Sequence, residues 1–91
     1  MMKRVNIEIF GRVQGVGFRY YSTQKANKLN ISGWVTNRID GSVEIDAQGE
    51  EKSIEKFIEW TKSGPSYARV DNINIKEKEI KDLENHEFNI R

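Results

Sequence analysis

Hydrophobic and polar residues alternate most clearly over residues 3–10, where Val5, Ile7 and Ile9 lie on one face of a predicted β-strand. Four more strands are predicted, over residues 31–38, 42–48, 70–76 and 86–90. The pair Asp40-Gly41 is typical of a hairpin turn, so the second and third of these strands are expected to be neighbours. The polar residues 78–85 are interpreted as a loop.

Two segments have helical spacing of their apolar residues instead. The first covers residues 18–29 and the second residues 50–62. Their predicted buried stripes are Phe18, Ser22, Ala26 and Leu29 in the first, and Ile54, Phe57, Ile58 and Thr61 in the second. Asn30 is a suitable stop for the first helix because asparagine tolerates the left-handed conformation, and Gly64-Pro65 stops the second.

The predicted order is βαββαβ with a short final strand. This order predicts an α+β, ferredoxin-like sandwich in which both helices pack on one face of an antiparallel sheet of four to five strands. We expect residues 1–91 to form a single domain. The same fold hosts enzymes, RNA-binding modules and regulatory modules, so function has to be argued from a site.

Composition narrows the classes of function. The formal net charge is only +1, whereas a protein that binds nucleic acid through phosphate contacts would usually have a stronger basic excess. Cysteine is absent and His86 is the only histidine, so neither a thiolate metal site nor a histidine-based metal site is expected. No apolar run could cross a membrane and no signal-peptide pattern follows Met1, which makes a cytoplasmic location the expectation.

Residues 11–20, Gly-Arg-Val-Gln-Gly-Val-Gly-Phe-Arg-Tyr, join the first strand to the first helix. Glycines there let backbone N–H groups point at one anion, and the helix N-terminus adds unpaired N–H groups. Arg19 adds a planar guanidinium that can bind two phosphate oxygens. A Walker A loop would need Lys-Ser/Thr at its end, and a dinucleotide fingerprint would need glycine at Tyr20. We therefore expect a small phosphorylated or carboxylated ligand.

A second segment, residues 33–37 with the sequence Gly-Trp-Val-Thr-Asn, ends the second strand just before the hairpin turn. Asn37 shares parity with Val35 and Ile31. If that face is the helix side of the sheet, the Asn37 amide points toward the glycine loop. Beside a phosphate held by arginine, an amide that both donates and accepts hydrogen bonds could position a water molecule.

Together, residues 11–19, the segment from Gly33 to Gly41, Gly64-Pro65 and the ending Phe-Asn-Ile-Arg closely resemble the acylphosphatase family. The resemblance implies metal-independent and cofactor-free hydrolysis of a small-molecule acyl phosphate to a carboxylate and inorganic phosphate, by a monomer that needs neither nucleic acid nor a membrane. It implies that Arg19 binds the phosphate and Asn37 orients the attacking water. The residues expected to bind phosphate are Gln14, Gly15, Val16, Gly17, Phe18 and Arg19.

The chain departs from the family pattern at Ser22, Asn30 and Thr36, and none of these removes the expected catalytic pair. Two alternatives stay open. One is an acylphosphatase-like domain that binds phosphate or carbamoyl phosphate inside a larger maturation protein, against which the single-domain length argues. The other is an RNA-binding module, which would need exposed aromatic residues on central strands, whereas residues 42–46 have none and carry two acids.

Overall fold

A computed structural model describes residues 1–82 and 86–91 of the chain. Its strands are β1 (Met2–Arg12), β2 (Ser32–Asn37), β3 (Val43–Glu50), β4 (Arg69–Lys78) and β5 (Phe88–Ile90). Its helices are α1 (Phe18–Lys28), between β1 and β2, and α2 (Glu51–Thr61), between β3 and β4. The predicted elements are all present, with bounds that differ by up to two residues.

The five strands form one sheet in the order β4-β1-β3-β2-β5. The pairs β4-β1, β1-β3 and β3-β2 are antiparallel, as predicted. The expectation of a wholly antiparallel sheet is wrong at one edge, because β5 runs parallel to β2. β4 lies at one edge of the sheet and β5 at the opposite edge, where β5 runs in the same direction as β2. The sheet is therefore mixed, and both helices pack on it.

The core lies between the helices and one face of the sheet. Across β1 and β3, Val5 faces Ala47, Ile7 faces Ile45 and Ile9 faces Val43, and all six are buried. The helices contribute the predicted stripes: Phe18, Ser22, Ala26, Ile54, Phe57 and Thr61 are buried, while Leu29 and Ile58 are half-buried at the rim. The burial of these side chains is the main term that stabilises the fold.

The ends of the elements follow local chemistry. Helix α1 stops at Lys28, and Asn30 adopts a φ of 56°, which confirms that asparagine supplies the left-handed residue after the helix. The final strand is shorter than predicted, since His86 and Glu87 precede it without strand geometry. Of the predicted loop over 78–85, residue 78 closes β4 and residues 79–82 have no regular structure. Residues 83–85 lie outside the described residues.

The second face of the sheet is polar and carries its own ion pair. The Arg4 guanidinium donates to both carboxylate oxygens of Asp46, over 2.8 and 3.0 Å. On β2, the Trp34 ring has the guanidinium of Arg91 4.5 Å from its centre. Part of this face is covered by the chain after β4, because the Arg4 guanidinium donates to the carbonyl oxygen of Glu79 and the Gln48 amide bonds to the backbone of Lys81. Within residues 1–82 and 86–91, no helix is long and apolar enough to cross a membrane.

Gly33 is the tightest point between β2 and β3. It has a φ of 144°, and a Cβ added there would overlap the carbonyl oxygen of Asp46 on the neighbouring strand. Glycine is needed at this position because the two backbones approach too closely for any side chain.

We predict that Gly33→Ala lowers the free energy of unfolding by about 3 kcal/mol, because both backbone strain and the overlap with Asp46 have to be relieved. Gly41→Ala is the control: Gly41 also has a positive φ, of 91°, but an added Cβ there meets no atom within 4 Å. Thermal unfolding monitored by circular dichroism measures both variants. Equal losses of stability would mean that the close approach at Gly33 has no particular cost.

Candidate active site

The glycine loop and the end of β2 meet at the same edge of the sheet. In the ladder through β3, Val43 is the partner of Ile9 on one side and of Asn37 on the other. Because β1 and β2 are both antiparallel to β3, they run in the same direction and end at this edge. Neighbouring strands lie about 4.8 Å apart, so the row from Ile9 to Asn37 spans about 10 Å. The loop that follows β1 begins on the β1 side of that row.

The loop backbone has alternating handedness. Gly15 and Gly17 have φ values of 73° and 83°, whereas Gln14, Val16 and Phe18 all have negative φ. Such alternation turns successive N–H groups toward one side of the chain and forms an anion-binding concavity. None of the backbone N–H groups from Gln14 to Tyr20 donates a hydrogen bond to another group in the described chain. Seven donors are therefore available to a ligand or to water.

Two side chains anchor this loop in the core. Val13, just before it, is fully buried, and Phe18, just after it, is 2% exposed. The Phe18 ring meets Trp60 of α2 edge to face, with ring centres 5.5 Å apart. Behind it, a Cβ at Gly64 would come within 2.5 Å of the Phe18 ring, so the chain after α2 packs directly against it. The loop is thus held at both ends although it has no internal hydrogen bonds.

Gln14 is oriented differently from the other residues predicted to bind phosphate. Its side-chain amide donates to the carbonyl oxygens of Arg38, at 2.8 Å, and Ser42, at 2.9 Å. These carbonyls flank the hairpin turn, so the Gln14 side chain ties the loop to the β2–β3 hairpin, and only its backbone N–H remains for an anion. The sequence alone did not indicate this link, because the bonded residues lie 24 and 28 positions away.

Arg19 lies in the first turn of α1 with an exposed side chain. Its carbonyl accepts a hydrogen bond from the Thr23 hydroxyl, but its guanidinium forms no ion pair or hydrogen bond with any described residue. This differs from Arg38, whose guanidinium is 2.6 Å from a Glu8 carboxylate oxygen and 3.6 Å from one of Glu44. The guanidinium of Arg19 is therefore an unpaired cation beside the loop.

Asn37 lies on the helix side of the sheet, as its parity with Val35 predicts, since Val35 faces Ile45 in the core. The residue is half-buried, and its Oδ1 atom is buried without a hydrogen-bond partner among the residues described. A buried acceptor without a donor costs about 1–3 kcal/mol. An unpaired polar atom of this kind is typical of a position that receives a water molecule or a ligand.

The hairpin beside Asn37 is held by polar contacts of its own. The Ser42 hydroxyl and backbone N–H both donate to Oδ1 of Asp40, at 2.6 and 3.0 Å. The hydrogen bond from the Ser42 hydroxyl is the largest of the causes that lower the pKa of the Asp40 carboxyl. In the part of the chain described, no three His, Asp or Glu side chains group as metal ligands.

Comparisons with known proteins identify the family of this chain. The family model described as Acylphosphatase matches residues 5–90. An acylphosphatase of Thermococcus kodakarensis is 45% identical over 85 residues, which cover 91% of this chain and 93% of that protein. The crystal structure of acylphosphatase from Bacillus subtilis has a TM-score of 0.88 and 42% identity, and the match covers 100% of this chain and 99% of that one.

A larger protein also contains this fold. The structure of full-length HypF in the phosphate- and nucleotide-bound form matches 100% of this chain and 12% of its own length, with a TM-score of 0.90 and 39% identity. The family match over residues 5–90, together with relatives of similar length at more than 40% identity, decides the assignment. The chain belongs to the acylphosphatase family.

Proposed function

We propose that this chain hydrolyses acyl phosphates, with the loop of residues 14–18 and Arg19 holding the phosphoryl group and Asn37 orienting the attacking water. The observation that carries the proposal is the loop itself. It has alternating φ signs, the seven backbone N–H groups from Gln14 to Tyr20 are unpaired, and the unpaired guanidinium of Arg19 follows the loop directly. These are the features that bind a small tetrahedral anion.

The reaction needs little more than binding and orientation. An acyl phosphate is an activated mixed anhydride, so its leaving group is a stable carboxylate. The water oxygen attacks phosphorus, the bond from phosphorus to the acyl oxygen breaks, and the electron pair leaves with the carboxylate. The water proton goes to an oxygen of the phosphate. Donors fixed where negative charge develops on the phosphoryl oxygens stabilise this transition state.

Asn37 suits the water because its unpaired Oδ1 can accept a hydrogen bond from it. An accepted hydrogen bond fixes the direction of the water's lone pair without needing a titrating base. Such orientation accounts for a large part of catalysis in phosphoryl transfer. Gln14 supports the geometry indirectly, because it holds the loop against the hairpin that follows Asn37.

The match to HypF favours one alternative, a phosphate-binding domain of a larger enzyme. The two functions differ in what the chain does alone. A hydrolase turns over a free acyl phosphate many times, whereas a binding domain holds phosphate without steady-state turnover.

A nucleic-acid ligand is not part of the proposal. Acids lie along β3 on the open face of the sheet, and Arg4 and Arg38 there are already paired with carboxylates. We also propose that the protein acts as a monomer in the cytoplasm.

The first test uses benzoyl phosphate in excess chelator, where we expect full turnover by the unmodified chain. Arg19→Lys keeps the charge but removes the planar fork, so its turnover should fall about 100-fold or more. Unchanged thermal unfolding of the variant serves as the control for folding. If the lysine variant keeps most of its turnover and phosphate affinity, capture of two oxygens by Arg19 is the wrong account.

Asn37→Ala separates water orientation from phosphate binding. We expect kcat to fall about 100-fold, as for loss of one fixed catalytic hydrogen bond, while the Kd for inorganic phosphate stays almost constant. Titration calorimetry with phosphate and steady-state hydrolysis of benzoyl phosphate measure the two quantities. A parallel loss of phosphate affinity would instead assign Asn37 to phosphate binding.

Gly15 and Gly41 form a matched pair for testing the loop. Both have positive φ, and a Cβ at either meets no atom within 4 Å, so Gly→Ala costs about 1 kcal/mol or more of backbone strain at each. At Gly15 the strain should also turn an N–H away from phosphate, so affinity and turnover fall together. At Gly41 only stability should fall. Equal catalytic behaviour of the two folded variants would show that the loop backbone does not hold the anion.

A further inference from the structure

A groove runs beside the candidate active site, between α1 and the segment that follows α2. Its volume is about 380 Å³, at the lower end of the range for small-molecule sites. The side chains that decide its character are Tyr21, Lys25 and Lys28 from α1, with Trp60 and Tyr67 opposite. The groove lies outside the loop that is proposed to hold phosphate.

The groove borders that loop through the side chain of Tyr21. The Tyr21 ring passes 3.1 Å from the position that a Cβ of Gly17 would occupy, so one end of the groove borders the loop backbone. Trp60 and Gly64, which line the groove, also pack against Phe18, the residue before Arg19. The Tyr21 ring is therefore the surface that links the loop to the groove.

The chemistry of the groove is aromatic and cationic. Tyr21, Lys25 and Lys28 follow one another at intervals of four and three residues, which puts them on one face of α1. Neither lysine forms an ion pair with a described residue, and no carboxylate lines the groove. Aromatic rings bind flat apolar groups, and two unpaired ammonium groups attract an anion.

We propose that this groove binds the acyl portion of the substrate and favours acyl phosphates whose acyl group has an aromatic body and a second negative charge at its far end. The inference rests on the proposed function, and it adds the class of acyl group. Lys25 lies about 6 Å along the helix axis beyond Tyr21, and its side chain leans back toward the N-terminus. A carboxylate on the far side of an aromatic acyl group is then within reach of the lysine ammonium groups.

The positive charge of the groove and its contact with the loop through Tyr21 indicate what the groove binds. The phosphoryl group must lie at the loop, because the unpaired N–H groups are there, and the acyl group must leave it in some direction. The groove is an open cleft that borders Gly17 through the Tyr21 ring. The ammonium groups at its far end complement an anionic acyl group better than a neutral one.

The test compares benzoyl phosphate with 4-carboxybenzoyl phosphate, which differ only by the distal carboxylate. We expect the unmodified chain to have a higher kcat/KM for the carboxylated substrate. In the double variant Lys25→Gln, Lys28→Gln this preference should fall about three- to fivefold, the range for exposed ion pairs. Raising the ionic strength should reduce the preference of the unmodified chain in the same direction.

The control is Lys52→Gln combined with Lys76→Gln, which removes the same charge from two exposed lysines outside the groove. Its substrate preference should equal that of the unmodified chain. An unchanged preference in the groove variant would overturn the proposal, because it would mean that Lys25 and Lys28 do not contact the acyl group. An equal fall of the preference in the control variant would also overturn it, because the effect would then come from the net charge of the protein.

The corresponding acylphosphonates, which cannot be hydrolysed, give the same comparison as a ratio of binding constants by calorimetry. Failure of the unmodified chain to turn over either acyl phosphate would overturn the proposed function. The phosphonate ratio would still decide whether the groove selects anionic acyl groups, so the two failures are distinguishable.

Discussion

The antiparallel ladder through β3 is the constraint on which the site depends. Because Val43 pairs with Ile9 on one side and with Asn37 on the other, the ends of β1 and β2 are placed in one row. A slip of one residue between β2 and β3 would move Asn37 to the polar face and Val35 out of the core. The burial of Val35 and Ile45 therefore specifies the position of a side chain that has no packing role itself.

The loop after β1 has the opposite character, since it has no hydrogen bonds of its own and depends on contacts made elsewhere. Val13 and Phe18 are buried at its two ends, and the Gln14 amide bonds to the hairpin. The backbone N–H groups of Gly15, Gly17 and Arg19 belong to exposed residues, so water can accept their hydrogen bonds in the free protein. Within the proposed function, a phosphoryl group takes the place of that water and accepts those hydrogen bonds.

Much of this arrangement could be predicted from the sequence because its causes are local. The alternation of Val5, Ile7 and Ile9 predicts a half-buried strand, and the parity of Asn37 with Val35 puts its amide on the helix side. The direction of β5 could not be predicted, because a three-residue strand has no signal for which neighbour it joins.

Contacts between residues that are distant in the sequence could not be predicted either, because no local pattern indicates them. Nothing in the residues around Gln14 indicates that its amide bonds to carbonyls 24 and 28 positions away, and a glutamine in a predicted anion loop is naturally assigned to the anion. The groove between α1 and the segment after α2 was also not predicted. Tyr21, Lys25 and Trp60 come together only once both helices are packed on the sheet.

The external anchoring of the loop has a consequence for protein design, because residues 11–19 are not a portable motif. In another strand-to-helix junction, the same nine residues would lose the two carbonyl groups that accept hydrogen bonds from Gln14. They would also lose the Trp60 ring that packs against Phe18. The glycines would then be free to adopt many other conformations, and ordering them would cost entropy at each binding event. A graft that preserves the conformation of the loop has to include the β2–β3 hairpin and the end of α2.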